Sequence, residues 1–381
     1  MPSFMTPWRA VAAMFLLNGS LLGIWGSRIP SLTAKHGLEH GEFGRLLLVM
    51  AAGAIASFAV TGGLADRIGG SRLTRMIAVT YGLSLVLISF APVNFYALGF
   101  FMILFGIAHG GMDVAMNAWA TEVEKVADKP IMSSFHAMWS VGLGLGALSG
   151  YVAGLIDLSI GLHFILAAVI FSVLCLPWSL IRWDFVDDSP ASESPLVSLP
   201  RGPLLLVGLV AFCTTIGEGG MADWSAIFLV EVTQSNEGRA ALGLSAFSAL
   251  MVATRFAGDR IIARFGPVAV TRFSGVIAGC GALLAVVGGT YVTALLGFAL
   301  MGIGYATIVP MAFSRAAVEP GVKAGTAIAS VATLGYGGIL LGPVIIGQLS
   351  DWVGIRYAFI LMIVLAFLMS ALAPSMRRKS D

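Results

Sequence analysis

The sequence predicts an all-α membrane protein with twelve transmembrane helices in two pseudo-symmetric six-helix bundles. Only 11% of the 381 residues are charged and 58% are hydrophobic, whereas a soluble domain carries about 25% charged residues. Apolar runs long enough to cross a bilayer recur along the whole chain. Several short motifs also recur at a spacing close to half the chain length, which indicates a duplicated half.

The composition restricts the partners of the protein. A chain this poor in charge cannot cover its own surface in water, and membrane lipid is the solvent that suits it. The 47 glycines are typical of membrane helices that approach closely. The net charge of +2 and the lack of a basic patch with interleaved aromatic residues argue against nucleic acid as a partner.

Apolar runs between charged or glycine- and proline-rich breaks predict the helices. A spanning helix needs about 20 apolar residues. The first run has no small-residue cleavage site after it, so we interpret it as a retained helix. The twelve helices are expected near 9–28, 44–65, 73–91, 95–120, 132–156, 161–181, 203–230, 240–263, 267–289, 291–314, 324–349 and 355–374.

A polar segment near the midpoint divides the chain. Residues 183–201 are rich in Asp, Ser and Pro, a composition that suits a flexible linker. We expect it to lie in the cytoplasm between an N-terminal bundle, 1–182, and a C-terminal bundle, 202–381.

The distribution of Lys and Arg predicts the orientation. With the N-terminus in the cytoplasm, most of the 22 Lys and Arg residues fall on the cytoplasmic side. An odd number of helices would not give this excess of Lys and Arg on the cytoplasmic side. We therefore expect both termini in the cytoplasm and a plasma membrane location, of the bacterial inner membrane type.

An Asp-Arg pair closes an apolar run in each half. Asp66-Arg67 and Asp259-Arg260 lie 193 residues apart, and the same spacing relates the glycines of helices five and eleven. Two six-helix halves with an acidic-basic loop after the second helix of each resemble the major facilitator superfamily along essentially the whole chain. Residues 62–69 match the loop signature of that family well.

This resemblance implies a gating role for the two pairs. Asp66 is expected to face the N-terminus of helix eleven near 324–326, where free N–H groups and the helix dipole favour an anion. Asp259 should make the mirrored contact near 133–134 of helix five. Arg67 and Arg260 are expected to take part in these two contacts, which we call the cytoplasmic latches. The alternative is that both pairs are solvated loop charges.

A finer resemblance concerns helices four and seven. Residues 110–117 look like the acid-x-x-x-Asn signature of fucose-permease-like proton symporters, and the segment from Ile216 to Trp224 looks like their helix seven. The sequence departs from that branch in helix one, where residues 25–30 contain no acid.

Three acids lie well inside apolar runs: Asp113, Glu218 and Asp223. An ionisable group in hydrocarbon costs about 2.5–3.5 kcal/mol on insertion scales, so such groups are paired or line a wet cavity. His109 and Asn117 lie one turn on either side of Asp113 and share its helix face. Burial favours the neutral form of a carboxyl group, so we expect Asp113 to carry the coupled proton. The alternative is a structural hydrogen bond to a neighbouring helix.

The acids of helix seven predict a solute site and an outer gate. Glu218 lies mid-helix beside glycines that let water or solute approach the backbone. We expect it to bind the solute or to serve as a second coupling acid. Asp223 lies nearer the outside, where it serves as an outer gate and Arg28 is a candidate partner.

Histidine and aromatic residues complete the expected site. His136 is either a core histidine or a neighbour of Asp113 that tunes its proton affinity. Aromatic residues either stack on a solute or anchor helices at the interface. The residues expected to bind solute are Asn18, Trp25, Asn117, Trp139, Glu218, Asp223, Trp224 and Tyr336.

No catalytic constellation, phosphate loop or metal-ligand cluster is visible, so we expect neither an enzyme nor a cofactor or metal. The favoured function is secondary active transport by alternating access, as proton-coupled uptake of a small polar solute such as a sugar, by a functional monomer. The runner-up is proton-coupled efflux of drugs or metabolites, suggested by a partial glycine ladder in helix five. A receptor or scaffold is a third, distant alternative.

Overall fold

The computed structural model describes residues 5–127, 131–183, 199–322 and 324–377. These residues form fifteen α-helices and one short 3-10 helix. In the first half of the chain they are α1 (Met5–Ser27), α2 (Ile29–His36), α3 (His40–Ile68), α4 (Gly70–Ser89), α5 (Phe95–Ala127), α6 (Met132–Leu155) and α7 (Ile160–Ser179). In the second half they are α8 (Pro203–Thr233), α9 (Glu237–Ala240), α10 (Leu242–Gly288), α11 (Tyr291–Tyr305), α12 (Ile308–Ala317), α13 (Ala324–Val353), α14 (Ile355–Ala358) and α15 (Ile360–Ala371).

The predicted fold class is confirmed. Ten helical stretches of the described residues are long and apolar enough to cross a membrane. One of them, Glu237–Gly288, kinks at Gly266 and supplies two spans. The shorter apolar stretch Ile355–Ala371 supplies the twelfth. Most predicted boundaries agree with these helices to within a few residues.

A glycine in the left-handed region separates the second and third spans of each half. Gly69 has φ +87° and Gly266 has φ +76°, values that glycine adopts without a steric penalty. The Asp-Arg pairs precede these breaks and are helical: Arg67 lies in the last turn of α3, and Asp259 and Arg260 lie within α10. The pairs therefore close the second span of each half, as the sequence predicts, and the alternative that both are loop charges does not hold for their backbone.

The helices form two compact units. One comprises α1 to α7 together with α9 and the start of α10 to Ser245, and the other comprises α8, the rest of α10 and α11 to α15. The linker predicted at 183–201 lies outside the described residues except at its ends.

In the first unit, α1 and α6 pack backbone to backbone. A Cβ atom at Gly142 would collide with the carbonyl of Leu16, and one at Gly146 would collide with the carbonyl of Ser20. At the far end of α6, Gly154 lies directly against Gly238 of α9. These glycines form a close-packing surface, which agrees with the close approach of helices that the glycine content of the chain predicts.

In the second unit, α8 and α13 occupy the equivalent positions. Thr215 donates a hydrogen bond of 2.8 Å to the carbonyl of Gly335, and a Cβ atom at Gly338 would collide with the Thr215 side chain. The first and fifth spans of each half therefore pack tightly, as the sequence repeat predicts.

A short helix occupies the segment predicted as the first outside loop. Pro30 lies in the first turn of α2, where its missing N–H costs nothing, and Gly37 ends the helix at φ +62°. The stretch between the first two predicted helices, 29–43, is therefore partly helical, and both ring nitrogens of His36 within it are buried and without a hydrogen-bond partner in the described part of the chain.

Candidate functional site

A polar cluster lies on α5 in the first unit. The amide nitrogen of Asn117 donates to the backbone carbonyl of Asp113 at 2.8 Å and to its carboxylate at 3.2 Å. The two residues are one helical turn apart, as the sequence predicted. Asp113 is half-buried, so its carboxyl group is partly withdrawn from water without being sealed from it.

The cluster extends by one turn to His109. The hydroxyl of Tyr81 on α4 and Nδ1 of His109 share a hydrogen bond of 2.9 Å. Tyr81 is fully buried and fixes the imidazole ring between α4 and α5. Tyr81 is absent from the predicted site, because only tertiary packing brings α4 against this face of α5.

A second polar contact joins α1 and α6. The indole nitrogen of Trp139 donates a hydrogen bond of 2.8 Å to the side-chain oxygen of Asn18, which is fully buried. One turn before Trp139, His136 contacts the ring of Phe15 edge-on at 5.3 Å. Because His136 is exposed, its interpretation as a core histidine was wrong.

An ion pair lies in the middle of the helices of the second unit. Oε2 of Glu218 on α8 lies 3.7 Å from Nη2 of Arg255 on α10. Their side chains are only 23% and 12% exposed, so this is an interior pair. The predicted helix 240–263 contains Arg255, although the count of cytoplasmic Lys and Arg residues included it. The ion pair with Glu218 places it in the interior.

Arg255 also contacts a break in the membrane helix formed by α11 and α12. Its Nε donates a hydrogen bond of 3.1 Å to the carbonyl of Ala306, which lies between the end of α11 at Tyr305 and the start of α12 at Ile308. The sequence predicted one continuous helix at 291–314. The correction has a physical reason, since Pro310 has no N–H to bond the Ala306 carbonyl four residues before it, and the guanidinium group satisfies that carbonyl instead.

The Tyr305 side chain completes this arrangement. Its ring lies against Gly217, where a Cβ atom would collide with it, and it is fully buried. Neither the Tyr305 hydroxyl nor Oε1 of Glu218 has a hydrogen-bond partner within the described ranges.

The other residues expected to bind solute differ in exposure. Trp25 and Trp224 are at most 1% exposed, so neither offers a ring face to a solute in this structure, contrary to expectation. The ring of Trp25 packs instead against Phe105, with centroids 5.5 Å apart. Asp223 is buried, whereas Tyr336 is 41% exposed.

The two expected cytoplasmic latches would connect residues of different units, and both remain predictions. The side chains of Asp66, Ser133 and Ala324 lie outside the described residues. The predicted partners Arg67, Asp259 and Arg260 are exposed.

Arg28 is buried rather than free in an outside loop. Its Nη2 donates a hydrogen bond of 3.0 Å to the carbonyl of Leu158. Burial lowers the pKa of Arg28 from its usual value, and the nearby carboxylate of Glu237 opposes this shift. Glu237 in turn accepts a hydrogen bond from Ser31. The acidic neighbour of Arg28 in its own unit is therefore Glu237, and its predicted pairing with Asp223 stays a prediction.

The part of the chain that the structure describes contains no group of three His, Cys, Asp or Glu side chains placed to hold a metal ion. The side chains around Asp113 in the first unit supply carboxyl, imidazole, phenol and amide groups, and those around Glu218 in the second supply carboxyl, guanidinium and phenol groups.

Comparison with known sequences gives the relatives of this chain. The sequence model of the Major Facilitator Superfamily matches residues 10–337. An uncharacterized transporter of Sinorhizobium fredii, y4wD, is 44% identical over 379 residues, covering 99% of this chain and 100% of that protein. Membrane protein MosC of Rhizobium meliloti is 33% identical over 366 residues, covering 95% of this chain and 88% of that protein.

Two solved structures share the fold at low sequence identity. A bacterial homolog of the human lysosomal transporter Spinster, in an inward-facing and unoccupied conformation, aligns with a TM-score of 0.79 at 14% identity, covering 99% of this chain and 98% of the other. A mutant of the nucleoside transporter NupG aligns with a TM-score of 0.76 at 14% identity, covering 98% of each chain.

Proposed function

This chain belongs to the Major Facilitator Superfamily, and on that premise we propose that it takes up a small polar organic solute together with protons by alternating access. It is an integral membrane protein and a transporter of the major facilitator type. Proton coupling, uptake and a sugar-like solute are the proposal. The resemblance of residues 110–117 to fucose-permease-like symporters supports the choice of solute.

The surroundings of Asp113 carry the proposal of proton coupling. Its hydrogen-bond partner in the described part of the chain is the neutral amide of Asn117, so protonation removes a charge without leaving an opposite charge unpaired. Glu218 differs, because protonating it would leave Arg255 as an uncompensated charge in the interior. We therefore assign the coupled proton to Asp113.

The close packing of α6 accounts for the one sequence feature that suggested efflux. The glycine ladder that suggested an antiporter is explained by the backbone contact of Gly142 and Gly146 with α1. With this structural role accounted for, the ladder no longer argues for proton antiport.

The remaining expectations are part of the same proposal. Bundles 1–182 and 202–381 would move against each other about the linker 183–201, with both termini in the cytoplasm and with the monomer as the working unit. The cytoplasmic latches of Asp66 with Arg67 and of Asp259 with Arg260 would close one side of the solute path.

Transport in proteoliposomes under an imposed pH gradient tests the proposal. Radiolabelled neutral sugars should accumulate when the outside is acidic, whereas efflux of solute against proton entry would indicate antiport. Asp113→Asn should abolish proton-driven accumulation and leave counterflow exchange measurable. Unchanged accumulation in Asp113→Asn would refute the assignment.

Asp157→Asn is the matched control. Asp157 is an exposed turn residue with φ +48°, a conformation that Asn tolerates well. The same chemical change there should leave both accumulation and exchange at the wild-type level.

A further inference from the structure

We propose that Glu218, Arg255 and Tyr305, around the helix break at Ala306, form a binding subsite for a neutral polyhydroxylated solute. This inference rests on the proposed transport function and names the chemistry of the solute at one place. All four residues belong to the second unit.

The ion pair is looser than a closed one. A charge-assisted N–H···O bond measures about 2.7–2.9 Å, whereas the nearest atoms of Glu218 and Arg255 are 3.7 Å apart. By contrast, the buried pair Arg315–Glu319 in the same unit closes to 2.7 Å. The looser contact therefore leaves hydrogen-bonding capacity open on the carboxylate of Glu218, whose Oε1 has no partner within the described ranges.

Two further atoms at this place lack partners. Oε1 of Glu218 and the hydroxyl of Tyr305 are buried with no hydrogen bond from any described residue. Buried polar atoms nearly always have a partner, so an unsatisfied pair at one place calls for an explanation. Tyr305 contacts Gly217, the residue next to Glu218, which brings the two unsatisfied groups to the same turn of α8.

Hydroxyl groups fit this set of donors and acceptors. A carboxylate only accepts, a guanidinium only donates, and a phenol does both. A solute hydroxyl can donate to Glu218 while it accepts from Arg255 or Tyr305. Neighbouring hydroxyls on a sugar or polyol ring can meet several of these groups at once.

The charge balance favours a neutral solute. Glu218 and Arg255 together carry no net charge, so a neutral ligand adds none to the membrane interior. An anionic solute would compete with Glu218 for Arg255, and a cationic solute would compete with Arg255 for Glu218. Either exchange leaves one buried charge unpaired, which the membrane interior strongly disfavours.

The helix break supports a wet site at this depth. Arg255 and Glu218 lie near the middle of their spans, and the break at Ala306 interrupts the span 291–317 near its middle. Irregular backbone at membrane depth is tolerated where protein covers it or where it lines a water-filled cavity. Arg255 links the two features, since it binds the released Ala306 carbonyl and faces Glu218.

Equilibrium binding to the full chain in lipid nanodiscs tests the subsite. The probes are D-glucose, L-fucose and D-mannitol, with D-gluconate and D-glucosamine as charged analogues. We expect a neutral probe to bind best, and we expect Glu218→Gln and Tyr305→Phe to weaken its binding at least tenfold. Glu319→Gln makes the same change in the closed pair and should keep the affinity within twofold.

Three outcomes would overturn the subsite: wild-type affinity in both Glu218→Gln and Tyr305→Phe, tighter binding of a charged analogue, or no binding of any neutral probe. Tyr305→Phe removes a single hydroxyl and decides the matter if Glu218→Gln does not fold. Asp113→Asn separates this inference from the proposed function. Loss of proton-driven accumulation in that variant, together with any of these three outcomes, would refute the subsite and leave the proposed function standing.

Discussion

The indole of Trp139 and the carboxamide of Asn18 are joined by a hydrogen bond of 2.8 Å that connects α6 to α1. Asn18 is fully buried, so this is an interior polar contact at a seam that otherwise consists of backbone packing. Its strength bears on how rigidly the first and fifth spans move together.

Asn18→Ala should destabilise the protein by about 1–3 kcal/mol, because it leaves the buried N–H of Trp139 without an acceptor. The unfolding free energy in detergent measures this loss. A double-mutant cycle with Trp139→Phe isolates the hydrogen bond. The double variant should lose less unfolding free energy than the sum of the losses of the two single variants. Strictly additive losses would show that the hydrogen bond contributes nothing.

Gly142→Ala should lower the melting temperature and impair transport, because the added methyl group collides with the carbonyl of Leu16 and separates α1 from α6. Gly337→Ala is the control, since a Cβ atom at that helical position meets no atom within 4 Å. Alanine should be tolerated or mildly stabilising there, by up to about 1 kcal/mol. Equal melting temperatures for the two variants would contradict the packing described for α6.

Tyr81→Phe should move the pH at which uptake is half-maximal, because it removes the hydrogen bond that fixes His109 one turn from Asp113. Uptake measured from pH 5 to 8 gives this midpoint. A purely structural role for the hydroxyl would reduce the rate equally at every pH. That result would separate His109 from the coupling chemistry.

The burial of His36 leads us to expect that the protein loses stability in acid. Burial, followed by the charge of Lys35, lowers the pKa of His36, so the folded state binds its proton less tightly than the unfolded state. The stabilisation is complete above the ordinary value of about 6.5 and is lost as pH falls below it. Melting temperatures at pH 8 and pH 5.5 should therefore differ, and His36→Leu should reduce the difference. An unchanged difference would assign the acid sensitivity to other groups.

Local periodicity predicted the features that one helix can determine alone. The spans follow from apolar runs, and the Asp113–Asn117 contact follows from spacing by one helical turn. The glycine ladder indicates close packing whatever the partner helix is.

Other features depend on which helix faces which, and periodicity does not contain that information. The count of cytoplasmic charges included Arg255, and its contact with Glu218 could not be derived from periodicity. The break at Ala306 is different, because Pro310 one turn later has no N–H for the Ala306 carbonyl, a signal that was present in the sequence and was not used. The burial of Trp25 depends on the rotation of α1 about its axis, which hydropathy does not fix.

The contact of Gly154 with Gly238 restricts how this chain can be recombined with its relatives. Gly238 follows α8 in the chain, yet it packs with the first unit. A chimera that exchanges the segments before and after the linker would combine an α6 from one protein with an α9 from another. Such chimeras should express only where both parents carry glycine at these two positions, so residues 236–245 should come from the parent that supplies the first unit while α8 stays with the second.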